Sequence, residues 1–243
     1  MPDFKEHQSE LRNKGYTIVD TQFLNEELNN IRNEFYRVNS VFSEKLGGGS
    51  IHSDEDIMSF HKNYGPQQFN VWKVFQFDPV LYRVTGNQQL LDTLANIGLT
   101  LPTLDLAPQL RCDMPIPGQS IFLRHQDYSY NIGSDDAVTM WTPLQDTRKE
   151  QGCLLVVPGS HKNGIYSHSN GIISDEIKFE FISQEVLFGQ TLFFDQKLVH
   201  QSGFNSSNNI RFSLQIRYSN LESKAYLDRD WYKNHKSVVQ QFA

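Results

Sequence analysis

Two kinds of hydrophobic spacing divide the chain near residue 108. Before it, Leu24, Leu28, Ile31, Phe35 and Val38 recur at intervals of four and three, which predicts a helix with one apolar stripe. Asn25 is a candidate N-cap, and Glu26 and Glu27 fall in the first turn, where the helix dipole favours acids. A second helix is predicted from Asn87 through Leu90, Leu91, Leu94 and Ile97 to a stop at Gly98. Between them, "KLGGGSIHSDEDIMSFHKNYGP" is glycine-rich, acidic and aperiodic. It reads as a long mobile loop over 46–66, a candidate lid, followed by a strand around Asn70 and Trp72. Its glycines make no phosphate loop, because no apolar strand leads in and no Gly-Lys-Ser/Thr follows.

From residue 108 the pattern shortens to alternating or apolar runs between turn residues: "QLRCDMPI", "SIFLRHQD", "AVTMWTPLQ", "GCLLVVPG", "IKFEFI", "QTLFFD" and "IRFSLQIRYS". Such a series predicts an antiparallel barrel or sandwich over 108–220, with 1–107 forming a mainly helical N-terminal part. No repeat or linker breaks the sequence, so 1–243 is expected to be one domain; its tail, 221–243, forms a closing helix or stays loose.

Composition narrows the partners. Lys and Arg number 22 against 28 Asp and Glu, and a net charge of -6 argues against a nucleic-acid surface. The polar N-terminus has no apolar signal core and no later run could span a bilayer, so a cytoplasmic protein with no membrane partner is expected. The two cysteines, Cys112 and Cys153, have no metal-site spacing and read as reduced thiols in strands.

Candidate chemistry lies in "IFLRHQDYSYNIG". On an extended strand His125 and Asp127 point the same way, so an imidazole and a carboxylate converge. His200, after the apolar run "TLFFDQKLV", is the best third ligand. Two histidines and a carboxylate on one face of a metal leave the opposite positions open, which suits non-heme Fe(II); a structural zinc site would be closed by four ligands. Spacing alone is a weak signal, since "His52-Ser53-Asp54" shares it from inside the glycine-rich stretch, and His161 follows a turn. Beyond His200, Arg211, Ser213, Gln215 and Arg217 alternate with Phe212, Leu214 and Ile216. The polar set either faces water or lines a cavity, where Arg211 could hold the remote carboxylate of a bound acid through paired hydrogen bonds.

His125-x-Asp127, then "GCLLVVPGSHK", His200-x-Ser202 and Arg211 together resemble the phytanoyl-CoA dioxygenase family of Fe(II)/2-oxoglutarate-dependent oxygenases. "GYTIVDTQFLNEEL" is similar to that family's opening strand and helix. The resemblance implies a mainly β fold, a double-stranded β-helix (a jelly-roll or cupin-like barrel) with N-terminal helices packed outside. It implies that His125, Asp127 and His200 bind iron, and that Arg211 and Ser202 bind the far carboxylate of 2-oxoglutarate. By the same carry-over, Trp141 lines the site and Gln109 is a polar cosubstrate contact. An aspartate as second ligand separates the chain from halogenating relatives, so hydroxylation of a small molecule with O2, releasing succinate and CO2, is the implied outcome. The chain lacks the basic clusters that a coenzyme A phosphate would call for, which points to a small polar metabolite, with Tyr128 and Tyr130 as candidate contacts. Two alternatives stay open: a metal-dependent barrel enzyme that does not use 2-oxoglutarate, and a non-catalytic barrel that binds metal or a small acid.

Overall fold

The computed structural model describes residues 4–115, 122–129, 133–175 and 178–224. The chain opens with α1 (Phe4–Lys14), strand β1 (Tyr16–Asp20) and α2 (Asn25–Lys45), then runs through α3 (Asp54–Phe75), α4 (Pro79–Thr85) and α5 (Gln88–Ile97). Strands follow: β2 (Pro102–Leu104), β3 (Gln109–Asp113), β4 (Val138–Pro143), β5 (Leu154–Val156), the small hairpin β6 (His168–Ser169) and β7 (Ile172–Ile173), β8 (Ile182–Gln184), β9 (Gln190–Asp195), β10 (His200–Ser202) and β11 (Arg211–Asn220). No helix among the described residues is long and apolar enough to cross a membrane.

Two antiparallel sheets carry the fold. The larger is ordered β1-β9-β4-β11-β2, with β3 also paired to β11; the smaller is β10-β5-β8. Strand alternation gives the large sheet two different faces. Val19, Val138, Met140, Phe193, Phe212, Leu214 and Ile216 pack outward against Leu28, Ile31 and Phe35 of α2 and the buried residues of α3 to α5. Trp141, Leu192 and Phe194 face inward, against Leu154 and Val156 of the small sheet. This is the expected two-sheet jelly roll with helices outside. Among the described residues, hydrogen bonding does not close it into a continuous barrel.

The α2 stripe and the Asn87–Gly98 helix stand as read, with Asn87 capping Leu90 N and Gly98 in a left-handed conformation (φ 124°). Each fully buried Leu, Ile or Phe on such a stripe contributes about 1.5–3 kcal/mol. Asn25 is no cap: a 3-10 turn, Gln22–Leu24, runs straight into the helix, and Asn25 is its first residue. The largest departure is α3, which takes up most of the expected loop and the whole expected strand around Asn70 and Trp72. Ser53 caps it by accepting from Asp56 N, and Asp54, Glu55 and Asp56 fill the first turn, so the acidic run marks a helix start. Ile57, Phe60, Gln68, Val71 and Phe75 are buried along one side. The backbone breaks at Tyr64 (φ −139°, ψ 38°), and Pro66 then lies in the first turn of the continuation, where a missing N–H costs nothing.

The α3 continuation is fastened to β3. Trp72 Nε1 donates to Leu110 O (2.6 Å), while Gln76 donates to that carbonyl (3.2 Å) and accepts from Leu110 N (2.8 Å). An amide side chain thereby covers the edge of β3 that β11 leaves unpaired. Of the described part of the expected "IKFEFI" strand, 178–182, only the end is extended, in β8, and the tail beyond 224 lies outside the described residues.

The small sheet leaves no room for a side chain at Gly203. A Cβ there would run into the Cys153 carbonyl oxygen and the Gly152 backbone, and Gly203 N donates to that same carbonyl (3.0 Å). Gly203→Ala is expected to lower stability by about 1–3 kcal/mol, seen as a lower urea midpoint at unchanged slope. An unaltered midpoint would mean that β5 and β10 spread there at no cost.

Candidate metal centre

His125 and His200 lie opposite each other as an isolated antiparallel bridge, exchanging His125 N to His200 O (2.9 Å) and His200 N to His125 O (3.0 Å). A short ladder thus brings together two residues 75 positions apart in sequence. Asp127 reaches them differently from the sequence expectation. It begins a 3-10 turn, Asp127–Ser129, so the aspartate is turned in by the chain and not by strand alternation. Bending replaces the strand because Gln126 is anchored the other way, its side chain donating to Gly164 O (2.9 Å) and accepting from Tyr166 N (2.9 Å).

The three side chains are buried, and one ligand atom from each lies within 4.8 Å of the others. Asp127 Oδ1 is 3.5 Å from His125 Nε2 and 3.7 Å from His200 Nε2. Each histidine's Nδ1 is 2.7 Å (His125 to Leu123 O) or 3.0 Å (His200 to Leu198 O) from a backbone carbonyl. Carbonyls only accept, so the protons are on Nδ1 and both Nε2 lone pairs point at the carboxylate. Burial and the neighbouring His125 push the His200 imidazole down to about 3, so it stays neutral. Three acceptors facing one another inside the protein fit a cation and little else. The second carboxylate oxygen, Oδ2, accepts from Thr139 Oγ1 (2.7 Å) and Arg217 Nε (3.0 Å). Burial opposes the charge on Asp127, but the adjoining Arg217 guanidinium holds the carboxyl well below its ordinary range.

His125 and His200 open onto a cavity of about 250 Å³ whose polar lining includes Gln109, Arg111, Trp141, Ser202, Gln215 and Arg217. Trp141 is fully buried, and its indole N–H has no hydrogen-bond partner. Ser213 Oγ, on the Arg211 face of β11, is buried and unpartnered too. The orphaned indole N–H of Trp141, in the cavity wall, matches a site that receives a polar molecule.

The family model for phytanoyl-CoA dioxygenase matches residues 11–213. The chain belongs to the phytanoyl-CoA dioxygenase family. A phytanoyl-CoA dioxygenase of Arabidopsis thaliana is 24% identical over 259 residues, covering 92% of this chain and 91% of that one. A probable alpha-ketoglutarate-dependent hypophosphite dioxygenase of Stutzerimonas stutzeri is 27% identical over 178 residues, 69% of this chain and 57% of that protein. Among solved structures, the non-heme alpha-ketoglutarate-dependent epimerase SnoN of nogalamycin biosynthesis matches with TM-score 0.61 at 17% identity, covering 89% of this chain and 82% of that one. The non-heme monooxygenase ThoJ matches at 0.65 and 19%, covering 88% and 76%. These structures share the fold.

Within this family member the other sequence-predicted site residues separate. Ser202, Trp141 and Gln109 line the ligand cavity; Arg211 is not part of that lining. It is 1% exposed, with its guanidinium on Asp113 and on the Gly152 carbonyl. Gly152 is two residues from Leu154, the register partner of Ser202, so Arg211 and Ser202 come to the same end of the small sheet. The polar face of β11 is buried, which excludes the solvent-facing alternative for Arg211, Ser213 and Arg217. His52 and His161 stay away from the centre, His161 contacting Arg12 O (3.1 Å). Tyr128 is half-buried under Lys197, and Tyr130 lies outside the described residues.

Sequence reasoning missed three participants: Arg217 and Thr139, which hold the Asp127 carboxylate, and Asp113, which sits between Arg211 and Arg111. Arg217 was within reach, since strand period places it on the Arg211 face. Nothing in the sequence marks Asp113 as a partner of Arg211, because that depends on the β3–β11 register.

Proposed function

We infer that the protein is an Fe(II)- and 2-oxoglutarate-dependent oxygenase that uses O2 to hydroxylate an unactivated C–H bond of a small polar metabolite, with release of succinate and CO2. The observation that carries this is the trio of converging acceptors, His125 Nε2, His200 Nε2 and Asp127 Oδ1, in a member of this dioxygenase family. These three residues would hold the iron, which when bound supplies the redox chemistry of oxygen activation. Arg217 and Thr139 hold Oδ2 of the Asp127 carboxylate, which leaves Oδ1 facing the two histidines. Ser202 and Arg211 are the proposed contacts for the far carboxylate of 2-oxoglutarate, and Trp141 and Gln109 flank its path. The burial of the site limits the access of bulk water.

One observation favours a second reading, a metal-dependent enzyme that does not use 2-oxoglutarate: Asp113 already engages Arg211. Anaerobic titration of the Fe(II)-loaded protein with 2-oxoglutarate decides between them. The first reading expects a weak visible charge-transfer band in the wild type. It expects roughly ten- to hundredfold weaker binding in Arg211→Ala with iron content unchanged. Well-loaded iron with no band would favour the second.

A further inference from the structure

A second cavity, of about 410 Å³, adjoins the first and shares Gln109, Arg111 and Phe122 with it. It lies between the continuation of α3 and β3, and its outer wall is aromatic. Phe69 and Trp72 stack with ring centroids 5.5 Å apart and planes 17° from parallel, and Phe122 and Met114 also line it. Trp72 Nε1 is committed to Leu110 O, so the indole offers the cavity only apolar carbon surface. That bond and the Gln76 clip also hold the ring still before any ligand arrives.

Arg111 is the one guanidinium or ammonium group among the residues lining this second cavity. It lies 4.3 Å over the Phe122 ring and bonds Asp113 through Nε (3.2 Å) and Nη2 (2.5 Å). Asp113 is divided between Arg111 and Arg211, and one carboxylate cannot neutralise two guanidiniums. Arg111 and Arg211 thus share Asp113 between them, and the three groups together carry one positive charge more than they neutralise.

Building on the oxygenase reading above, we propose that the primary substrate is a small monoanion with a flat apolar body, the body lying against Phe69 and Trp72 and the anionic group pairing with Arg111. A planar ring takes the face of Trp72 without asking for a hydrogen bond, and a carboxylate matches the fork of Arg111. Because Arg111 borders both cavities, an anion held there keeps the rest of the molecule beside the metal ligands.

The test is calorimetric titration of the full chain with phenylacetate, 3-phenylpropionate, their amides, and hexanoate, run beside the anaerobic Fe(II) and 2-oxoglutarate titration. The aromatic carboxylates are expected to bind roughly ten- to hundredfold tighter than their amides, and tighter than hexanoate. Arg111→Gln should erase the preference for carboxylate over amide while the charge-transfer band remains, and Arg111→Lys should restore part of it. Phe69→Ala should erase the preference for aromatic over aliphatic acids. Binding of no carboxylate, equal binding of amides, or an Arg111→Gln protein that keeps the preference would overturn the proposal. A missing band with the carboxylate preference intact would instead remove the cosubstrate reading and leave the anion site standing.

Discussion

His200→Ala is expected to bring iron-dependent succinate release below detection, and Asp127→Ala to do the same while also weakening the fold. Each change removes one of three donors, so iron affinity should fall by at least about a hundredfold, given that outer partners of ligands alone typically contribute 10–100-fold. The two variants differ in what they leave behind. Without His200, the Phe194 ring 4.6 Å away loses a packing partner, and a cost of about 1–3 kcal/mol follows. Without the Asp127 carboxylate, the buried Arg217 guanidinium loses this ion pair and keeps its bonds to the neutral Gln109 Oε1 (3.0 Å) and Gln215 Oε1 (3.2 Å). Breaking a buried ion pair from one side typically costs about 3–5 kcal/mol. Metal content, succinate yield and urea midpoints of the metal-free proteins check this together. Wild-type iron retention in either variant would rule out the assigned centre. Equal midpoints would show that Arg217 does not depend on Asp127.

How much of this was legible beforehand follows from which interactions are local. The three converging residues were readable because His-x-Asp and a distant histidine each sit beside an apolar run, and burying those runs brings the groups inside. Even so, the route was misjudged: Asp127 turns in through a 3-10 turn, set by where Gln126 finds its partners 38 or more residues away. The α2 and α5 stripes were legible because their period is regular. The helix α3 was not, because its apolar positions are interrupted at Tyr64-Gly65-Pro66, and the acidic residues that mark its start equally suit a solvated loop. The least legible feature was charge pairing across strands. Arg211 and Asp113 face each other because β3 and β11 pair in that register, and a one-residue slip would separate them.

That pairing carries the second large effect. Asp113→Asn should destabilise the metal-free protein and, at the same time, tighten its hold on 2-oxoglutarate. Burial alone would raise the Asp113 carboxyl, but Arg211 and Arg111 more than reverse this and keep it below its usual range, so it is charged at neutral pH. An asparagine keeps the shape and removes the charge. The buried Arg211 guanidinium and the part-buried Arg111 guanidinium then face each other across an amide, at a cost of about 3–5 kcal/mol. The same change frees Arg211 of its competitor. An arriving carboxylate no longer has to displace Asp113, and it also relieves the repulsion between Arg211 and Arg111. Affinity for 2-oxoglutarate should therefore rise by at least about tenfold, the counterpart of one charged hydrogen bond no longer surrendered. Because a ligand bound only to the folded state stabilises it by RT ln(1 + [L]/Kd), saturating 2-oxoglutarate should raise the melting temperature of Asp113→Asn more than that of the wild type. Thermal melts of both proteins with and without the cosubstrate measure this. Equal shifts would mean that the far carboxylate rests on a group other than Arg211, and Arg217, already in the cavity wall, would be the next residue to change.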